Sequence, residues 1–427
     1  MRSLALALAF LVTLTADAGP RRRAVGHPGT RPSESTPAGW LHANAHVLTS
    51  VELIPDTRDL FPLQSIIGSA EVVAIGEVTH GTHEFYTVKL RVIDYLVRNM
   101  NFDTIAFEAP FPLFERLNAY IQGGAGDPRA ILGEMYAMTY FFWDVEEVLA
   151  LVEWMREYNA HRGDRPALQL VGADVTQPDA ASNAVVAYLR NVDPPAAVDA
   201  EQRYACARAS SVTITADCRP IAIEIRDAIE AREAEYTARS SPKAFADAVH
   251  QARVVVQARF AAGSQRDLSL ADNALWLRDQ RSATRKMIIW AHAGHISESQ
   301  HAALGPFPMG RHLSTRLGSD FFSIATLTAA GTFRKWTDPE RDGTYATDVA
   351  FLPALESNSY ESYFRQHGAP FLLIPFRKAV PEWLSTPGRY NFTGATGSSI
   401  GTVGSLPEQY DAAIFIDTTT PVRPLVH

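Results

Sequence analysis

Glu77, His80, Glu108, His292 and His295 are ionisable residues that each stand at or just past the end of a short apolar run. The stretch Val73-Ala74-Ile75-Gly76-Glu77-Val78-Thr79-His80-Gly81 packs a carboxylate, an imidazole and two glycines into one turn, and Ile289-Trp290-Ala291-His292-Ala293-Gly294-His295 has the same character. Imidazole is the side chain best matched to proton transfer near neutral pH, so two histidines from separate segments can serve as base and acid. Carboxylates beside them orient the rings and raise their basicity. Glycine in such turns permits tight backbone and close approach of a ligand. Acid/base chemistry on a bound small molecule is what this set can do.

The elements that must position these residues are short apolar runs at 72–75, 104–107, 168–171, 287–291, 321–327, 371–375 and 412–416. Each reads as a strand buried on both faces. Segments with helical periodicity alternate with them, which predicts an α/β fold with a mostly parallel central sheet flanked by helices. One such segment, 84–99, places Phe85, Val88, Val92, Tyr95 and Leu96 at helical spacing, with Asn99 and Asn101 as stops. Glu77 and His80 then follow the first strand, Glu108 ends the second, Asp174 follows the third and His292 ends the fourth. All fall at strand carboxyl ends, the edge of an open parallel sheet where ligands bind.

With 427 residues, 46% of them hydrophobic, the chain has ample material for a large core. Its formal charge of -8 lacks the basic excess of a nucleic-acid binder, so the expected partner is a small molecule. Met1-Arg2, the apolar run from Leu4 to Leu14 and Ala16-Asp17-Ala18 form the three parts of a secretory signal peptide. Residues 1–18 are therefore expected to be removed, and the protein to be secreted or periplasmic. A transmembrane anchor is the competing reading, but this run is shorter than the roughly 20 residues a bilayer requires, so no stable membrane insertion is expected after cleavage. Residues 19–38, rich in Gly, Pro, Arg and Ser, read as a flexible leader, and 39–427 as the folded domain. Within it, about 194–281 reads as a helical insertion. That insertion holds the two cysteines, Cys206 and Cys218. An oxidising compartment predicts a disulfide between them, with two free thiols as the alternative.

At these turns the chain resembles the erythromycin esterase family, whose members carry G-E-x-x-H-G after a first strand, F-E at the end of the next and A-H-N-x-H later. Gly76 to Gly81, Phe107-Glu108 and Ala291 to His295 match in that order. The helix from Glu84 to Leu96, the pair Met309-Gly310 and the run from Tyr410 to Asp417 are similar too. The resemblance implies hydrolysis of an ester, in the best-known members a macrolide lactone, by water that His80 deprotonates. Glu77 and Glu108 would orient His80 and the water, while His292 and His295 would stabilise charge or protonate the leaving alcohol. Lys89, with Arg91 two residues on, stands where the family has a functional arginine, and offers a point charge in place of a bidentate fork. Ala293 stands where the family usually has Asn, which removes an amide from the site. Lys89, Arg91, Asp174 and Met309 are the candidate substrate-binding residues, and no cofactor is expected.

Three other readings compete. A metal at Glu77, His80 and His292 would suit zinc or non-haem iron, and the same ligand types fit a haem or ligand carrier without catalysis. Gly397-Ser398-Ser399-Ile400-Gly401 satisfies G-x-S-x-G, yet lacks the buried strand that a nucleophile elbow needs before its serine. Phe141, Phe142 and Trp143 read as core more than as pocket wall. The signal peptide carries its own test: intact-mass measurement of exported protein should give a chain that begins at Gly19, and material that retains Met1 would reject the cleavage site.

Overall fold

The computed structural model describes residues 36–135, 141–208, 218–258, 264–336, 347–377, 379–395, 397 and 401–427. The signal peptide, most of the leader and the Ser398–Ile400 part of the G-x-S-x-G match lie outside them. Eleven strands are found among the described residues: β1 (His46–Val47), β2 (Val72–Glu77), β3 (Thr104–Pro110), β4 (Gln169–Asp174), β5 (Met287–His292), β6 (Phe321–Trp336), β7 (Thr347–Phe351), β8 (Phe371–Pro375), β9 (Gly388–Tyr390), β10 (Thr402–Gly404) and β11 (Ala412–Thr419). Every residue of β2, β3 and β5 is buried, as expected where helices cover both faces of a sheet.

The main sheet runs β1-β8-β11-β6-β2-β5-β3-β4, with β7 hydrogen-bonded to β6. The six strands from β11 to β4 are mutually parallel. β8 pairs antiparallel with β11 and β1 antiparallel with β8, so the sheet is mixed at that edge. All seven expected strands are present. The four that the apolar pattern did not reveal, β1, β7, β9 and β10, are short or lie exposed, where burial no longer dictates composition. β10 also falls in the stretch 391–405, whose Gly, Thr and Ser content reads as a loop before the final strand.

Strand order makes the crevice. The chain leaves β2 for β3 and β4, returns to place β5 between β2 and β3, then crosses to β6 on the other side of β2. Ligand crevices open at the carboxyl ends of strands where order reverses in this way. Register then fixes neighbours: Glu77 lies opposite His292 on β5 and Thr326 on β6. Pairing of β3 with β5 stops at Phe107 and Trp290, and beyond a bulge Pro110 meets Asp174 of β4.

The helix His83–Met100 follows β2. Asn101 ends it with φ of 60°, its N–H bonded to the Leu96 carbonyl, a left-handed stop that Asn tolerates better than most residues. Two residues apart on a helix means about 200° around it, so Lys89 and Arg91 face different ways. Arg91 is fully buried and turns from the crevice to the 50–59 loop, where it donates to the Ser50 carbonyl (2.8 Å), the Asp56 carbonyl (2.9 Å) and both oxygens of Asp59 (2.6 and 2.9 Å). The expectation that it binds substrate is thus corrected: helical geometry makes it a clamp on the loop.

Between β4 and β5 the described residues hold helices and no strand: Pro178–Val192, Pro194–Arg203, Cys218–Glu230, Glu233–Arg239, Pro242–Ala258 and Ser264–Arg281. Those from Pro178 to Ala258 share an apolar cluster of their own that includes Val185, Leu189, Ile225, Ile229 and Val255. The last helix instead buries Leu270, Ala271, Ala274 and Leu277 in the main core. Cys206 and Cys218 are joined by a disulfide. No helix among the described residues is long and apolar enough to cross a membrane. Removing one partner of a buried ion pair strands the other, at about 3–5 kcal/mol. Arg91→Ala should therefore lower unfolding stability by that amount in chemical denaturation while KM for any substrate stays near normal; a raised KM with unchanged stability would return Arg91 to the binding site.

Candidate active site

The turn after β2 is tied from several sides. Tyr86 donates its hydroxyl to the His80 carbonyl (2.5 Å), Thr79 and Thr82 share a hydroxyl hydrogen bond, and Thr393 and Arg334 donate their backbone N–H groups to the Val78 and Gly81 carbonyls (2.9 and 2.8 Å). Gly81 has to be glycine, since a Cβ there would collide with the Arg334 backbone. Held this way, His80 places Nδ1 2.9 Å from Oε1 of Glu77. Nδ1–H donates to the carboxylate, the tautomer in which Nε2 carries the lone pair. The other Glu77 oxygen pairs with Lys89, whose ammonium also lies 4.7 Å from the centre of the Trp290 ring. Glu77 and Lys89 are both fully buried. Burial pulls the Lys89 ammonium down to about 8, with the charge of Glu77 opposing.

A second charged cluster adjoins the first. Where β3 breaks away from β5, the Glu108 carboxylate takes over as acceptor for the His292 backbone N–H (2.9 Å). Its other oxygen accepts from Arg266 (2.8 Å) and lies 3.1 Å from Nε2 of His295. Arg266 also grips Asp174, through Nε at 3.1 Å and through Nη2. His295 Nδ1 lies 2.8 Å from Asp267, which also accepts the Met309 N–H (2.8 Å). Burial acts to raise the Glu108 carboxyl, but the charges of His295 and Arg266 hold it well below the usual carboxylate range. Burial acts to lower His295, but Asp267 and Glu108 lift it to about 10. Arg266 Nη1 sits 2.9 Å from His295 Nε2, a contact that suits neutral imidazole. The neighbouring carboxyl groups favour the other form: His295 lies between Asp267 and Glu108, and among the described residues its imidazolium joins Arg266 in balancing them.

His292 stands between the two clusters, its ring centre 4.6 Å from that of His80. Nε2 donates to the Thr393 carbonyl (3.0 Å) and Nδ1 accepts from the Gly294 N–H (3.4 Å), so one neutral tautomer is fixed. Burial and the neighbouring His80 push its pKa well below the ordinary value, in agreement with that neutral form. Phe142 stacks on His80 at 4.2 Å, Trp143 meets it edge-on at 5.5 Å, and Phe392 packs edge-on against His292 at 4.7 Å. Phe142 and Trp143 are core residues, as expected, and they also wall the site.

Of the residues expected here, Glu77, His80, Lys89, Glu108, Asp174, His292 and His295 converge. Arg91 does not. Met309 joins through its backbone alone, at the start of the helix Met309–Leu317. Arg266, Asp267 and Thr393 were missed. Arg266 and Asp267 open the last helix of the inserted region with no glycine turn or preceding strand to mark them, and Thr393 acts by its carbonyl, which sequence does not advertise. Gly76 admits Ala293: a Cβ on Gly76 would lie 2.6 Å from the Ala293 Cα. Among the described residues no group of three or more His, Cys, Asp or Glu side chains has metal-holding geometry. At Glu77, His80 and His292 a cation would have to displace Lys89 from Glu77 and Thr393 or Gly294 from His292.

A family model described as Erythromycin esterase matches residues 97–419, more than half of the chain. YbfO of Bacillus subtilis (strain 168), named as a hydrolase, is 23% identical over 425 residues, which covers 90% of this chain and 91% of that protein. Erythromycin esterase type II of Escherichia coli is 23% identical over 373 residues, 78% of this chain and 87% of that one. The solved structure of a mutant erythromycin esterase EreC in its open conformation shares the fold, with a TM-score of 0.69 at 18% identity over 88% of this chain and 97% of that one. Because the family model spans more than half of the chain, the chain belongs to the erythromycin esterase family, and it is a hydrolase.

Proposed function

We propose that this hydrolase cleaves a carboxylic ester with a water molecule that His80 deprotonates. The observation that carries the reading is the 2.9 Å contact between His80 Nδ1 and a fully buried Glu77, which directs the Nε2 lone pair to act as base. The water gives its proton to Nε2 and its oxygen bonds to the ester carbonyl carbon. The carbonyl oxygen becomes an oxyanion, which the Arg266 and His295 cations are suited to stabilise. Collapse of that intermediate breaks the bond to the leaving alcohol, which takes the proton held on His80 Nε2, so that the base is regenerated and a carboxylic acid is the other product. The aromatic wall of Phe142, Trp143 and Phe392 favours an apolar substrate body. A macrolide lactone or a related natural product is the substrate class that the relatives' names support. Lys89 and Ala293 depart from the family pattern, so the pocket need not take the same lactone. In this reading the expected signal peptide directs the protein to act outside the cytoplasm, and no metal, nucleic acid or membrane takes part.

An ester and macrolide panel on the purified protein tests this. His80→Asn should lower turnover by about 10²-fold to 10⁴-fold, Ser399→Ala should change it little, and a chelator should have no effect. An ester hydrolase that tolerates His80→Asn, or that a chelator silences, would overturn the assignment. The pH profile is a further check. Lys89 holds its proton below about 8 and loses it above, at which point the amine no longer balances Glu77, so the rate should fall across that range. Lys89→Arg, permanently charged, should move that limb upward; an unmoved limb would exclude Lys89 as its source.

A further inference from the structure

Glu361 is a buried carboxyl outside both charged clusters. It sits in the short helix Tyr360–Phe364, behind β9, with no exposed surface. Oε1 accepts the Asn391 backbone N–H at 2.6 Å, while Oε2 makes no hydrogen bond of acceptable geometry. The Asn391 amide, its own amide and Ser359 favour the carboxylate, but burial outweighs them and lifts its pKa to about 7. Glu361 lines a cavity of about 160 Å³ together with Glu356, Ser359, Arg389, Tyr390 and Asn391, and Glu356 and Arg389 there satisfy one another at 3.0 Å. A costly buried acid that bonds a single backbone amide has to be explained by what that amide holds in place.

Asn391 begins the extended stretch that leads from β9 into the site. Its side chain donates to the Thr328 carbonyl on β6 (2.9 Å), and two residues on Thr393 donates to Val78 (2.9 Å) and accepts the Nε2 proton of His292 (3.0 Å). Residues 391–393 lie in no strand, so their position depends on these separate bonds, on the Gly401 N–H donated to the Phe392 carbonyl (2.8 Å) and on the packing of the Phe392 ring. We propose that Glu361 is a positioning residue for His292: by accepting the Asn391 N–H it fixes the segment whose Thr393 carbonyl sets the imidazole tautomer. In that tautomer Nδ1 faces the Gly294 amide and the ring keeps its place beside His80. Without the acceptor the Asn391 amide is buried and unpaired, a state that proteins avoid, and the segment shifts to find a partner.

Only the kinetic half of the test rests on the ester-hydrolase reading. In full-length protein carrying ¹⁵N-histidine, long-range ¹H–¹⁵N spectra distinguish the two neutral tautomers, and loss of a signal in His292→Asn assigns His292. Wild type and Glu361→Gln, which keeps an acceptor, should both show the Nε2–H form. Glu361→Leu should show a mixture. With the best ester of the panel, Glu361→Leu should lower kcat about 10- to 100-fold with KM within about twofold, and Glu361→Gln should restore most of it. If Glu361→Leu fails to fold, Glu361→Asp, one methylene short of the amide, takes its place with the same expectations. An unchanged tautomer in Glu361→Leu or Glu361→Asp overturns the proposal, as does Gln damage equal to Leu damage. If wild type turns over no ester, the ester-hydrolase reading fails and the tautomer spectra still decide this one.

Discussion

Glu77, Glu108 and Asp174 lie at the carboxyl ends of β2, β3 and β4, with β5 between the first two, and the crevice that gathers them is too deeply buried for solvent to balance their charge. A buried carboxylate persists only with a matching cation and enough N–H donors. These three strands themselves supply no cation at their carboxyl ends, where they deliver side chains and carbonyls. The compensating groups are brought from elsewhere: Lys89 from the helix after β2, the His292 amide from β5, Arg266 from the helix before β5 and His295 from the turn after it. Each cation fixes one element against a strand end. Electrostatic satisfaction and tertiary assembly are in this sense a single requirement.

The requirement accounts for the separation of roles among the three histidines. His80 has a carboxylate on Nδ1 and a lysine behind that carboxylate, so its ring is oriented without being locked at both nitrogens. His292 has both nitrogens occupied by backbone groups and is held neutral. His295 lies between two carboxylates and is held charged. Three imidazoles in three different states within one crevice come from their partners, since the side chain is the same in each.

Much of the frame was legible in the sequence because burial on both faces leaves strands almost wholly apolar, and because Glu77, His80, Glu108 and His292 break those runs at their ends. Asn101 was legible as a helix stop for the same local reason. β8 was seen as a strand but not as antiparallel, since a buried strand has the same composition in either direction. Lys89 and Arg91 looked interchangeable by proximity, and only the angle between them on the helix separates a group in the site from a clamp on the 50–59 loop. Arg266 and Thr393 were illegible on different grounds: the first is one arginine among many in a helical region, and the second contributes an atom that every residue possesses.

The inserted helices also bear on how the site can vary. Their own apolar cluster is distinct from the main core from Pro178 to Ala258, yet the final helix, Ser264–Arg281, crosses back and buries its apolar face under the sheet. Its first turn carries Arg266 and Asp267 into the crevice. The outer helices can therefore change in length or sequence without disturbing the sheet, while any displacement of the last one acts directly on Glu108, Asp174 and His295. Variation in this region reaches the electrostatics of the crevice chiefly through that last helix, which also meets the outer ones at His250 and Asp247, whereas Glu77, His80 and Lys89 come from β2, the turn after it and the helix that follows.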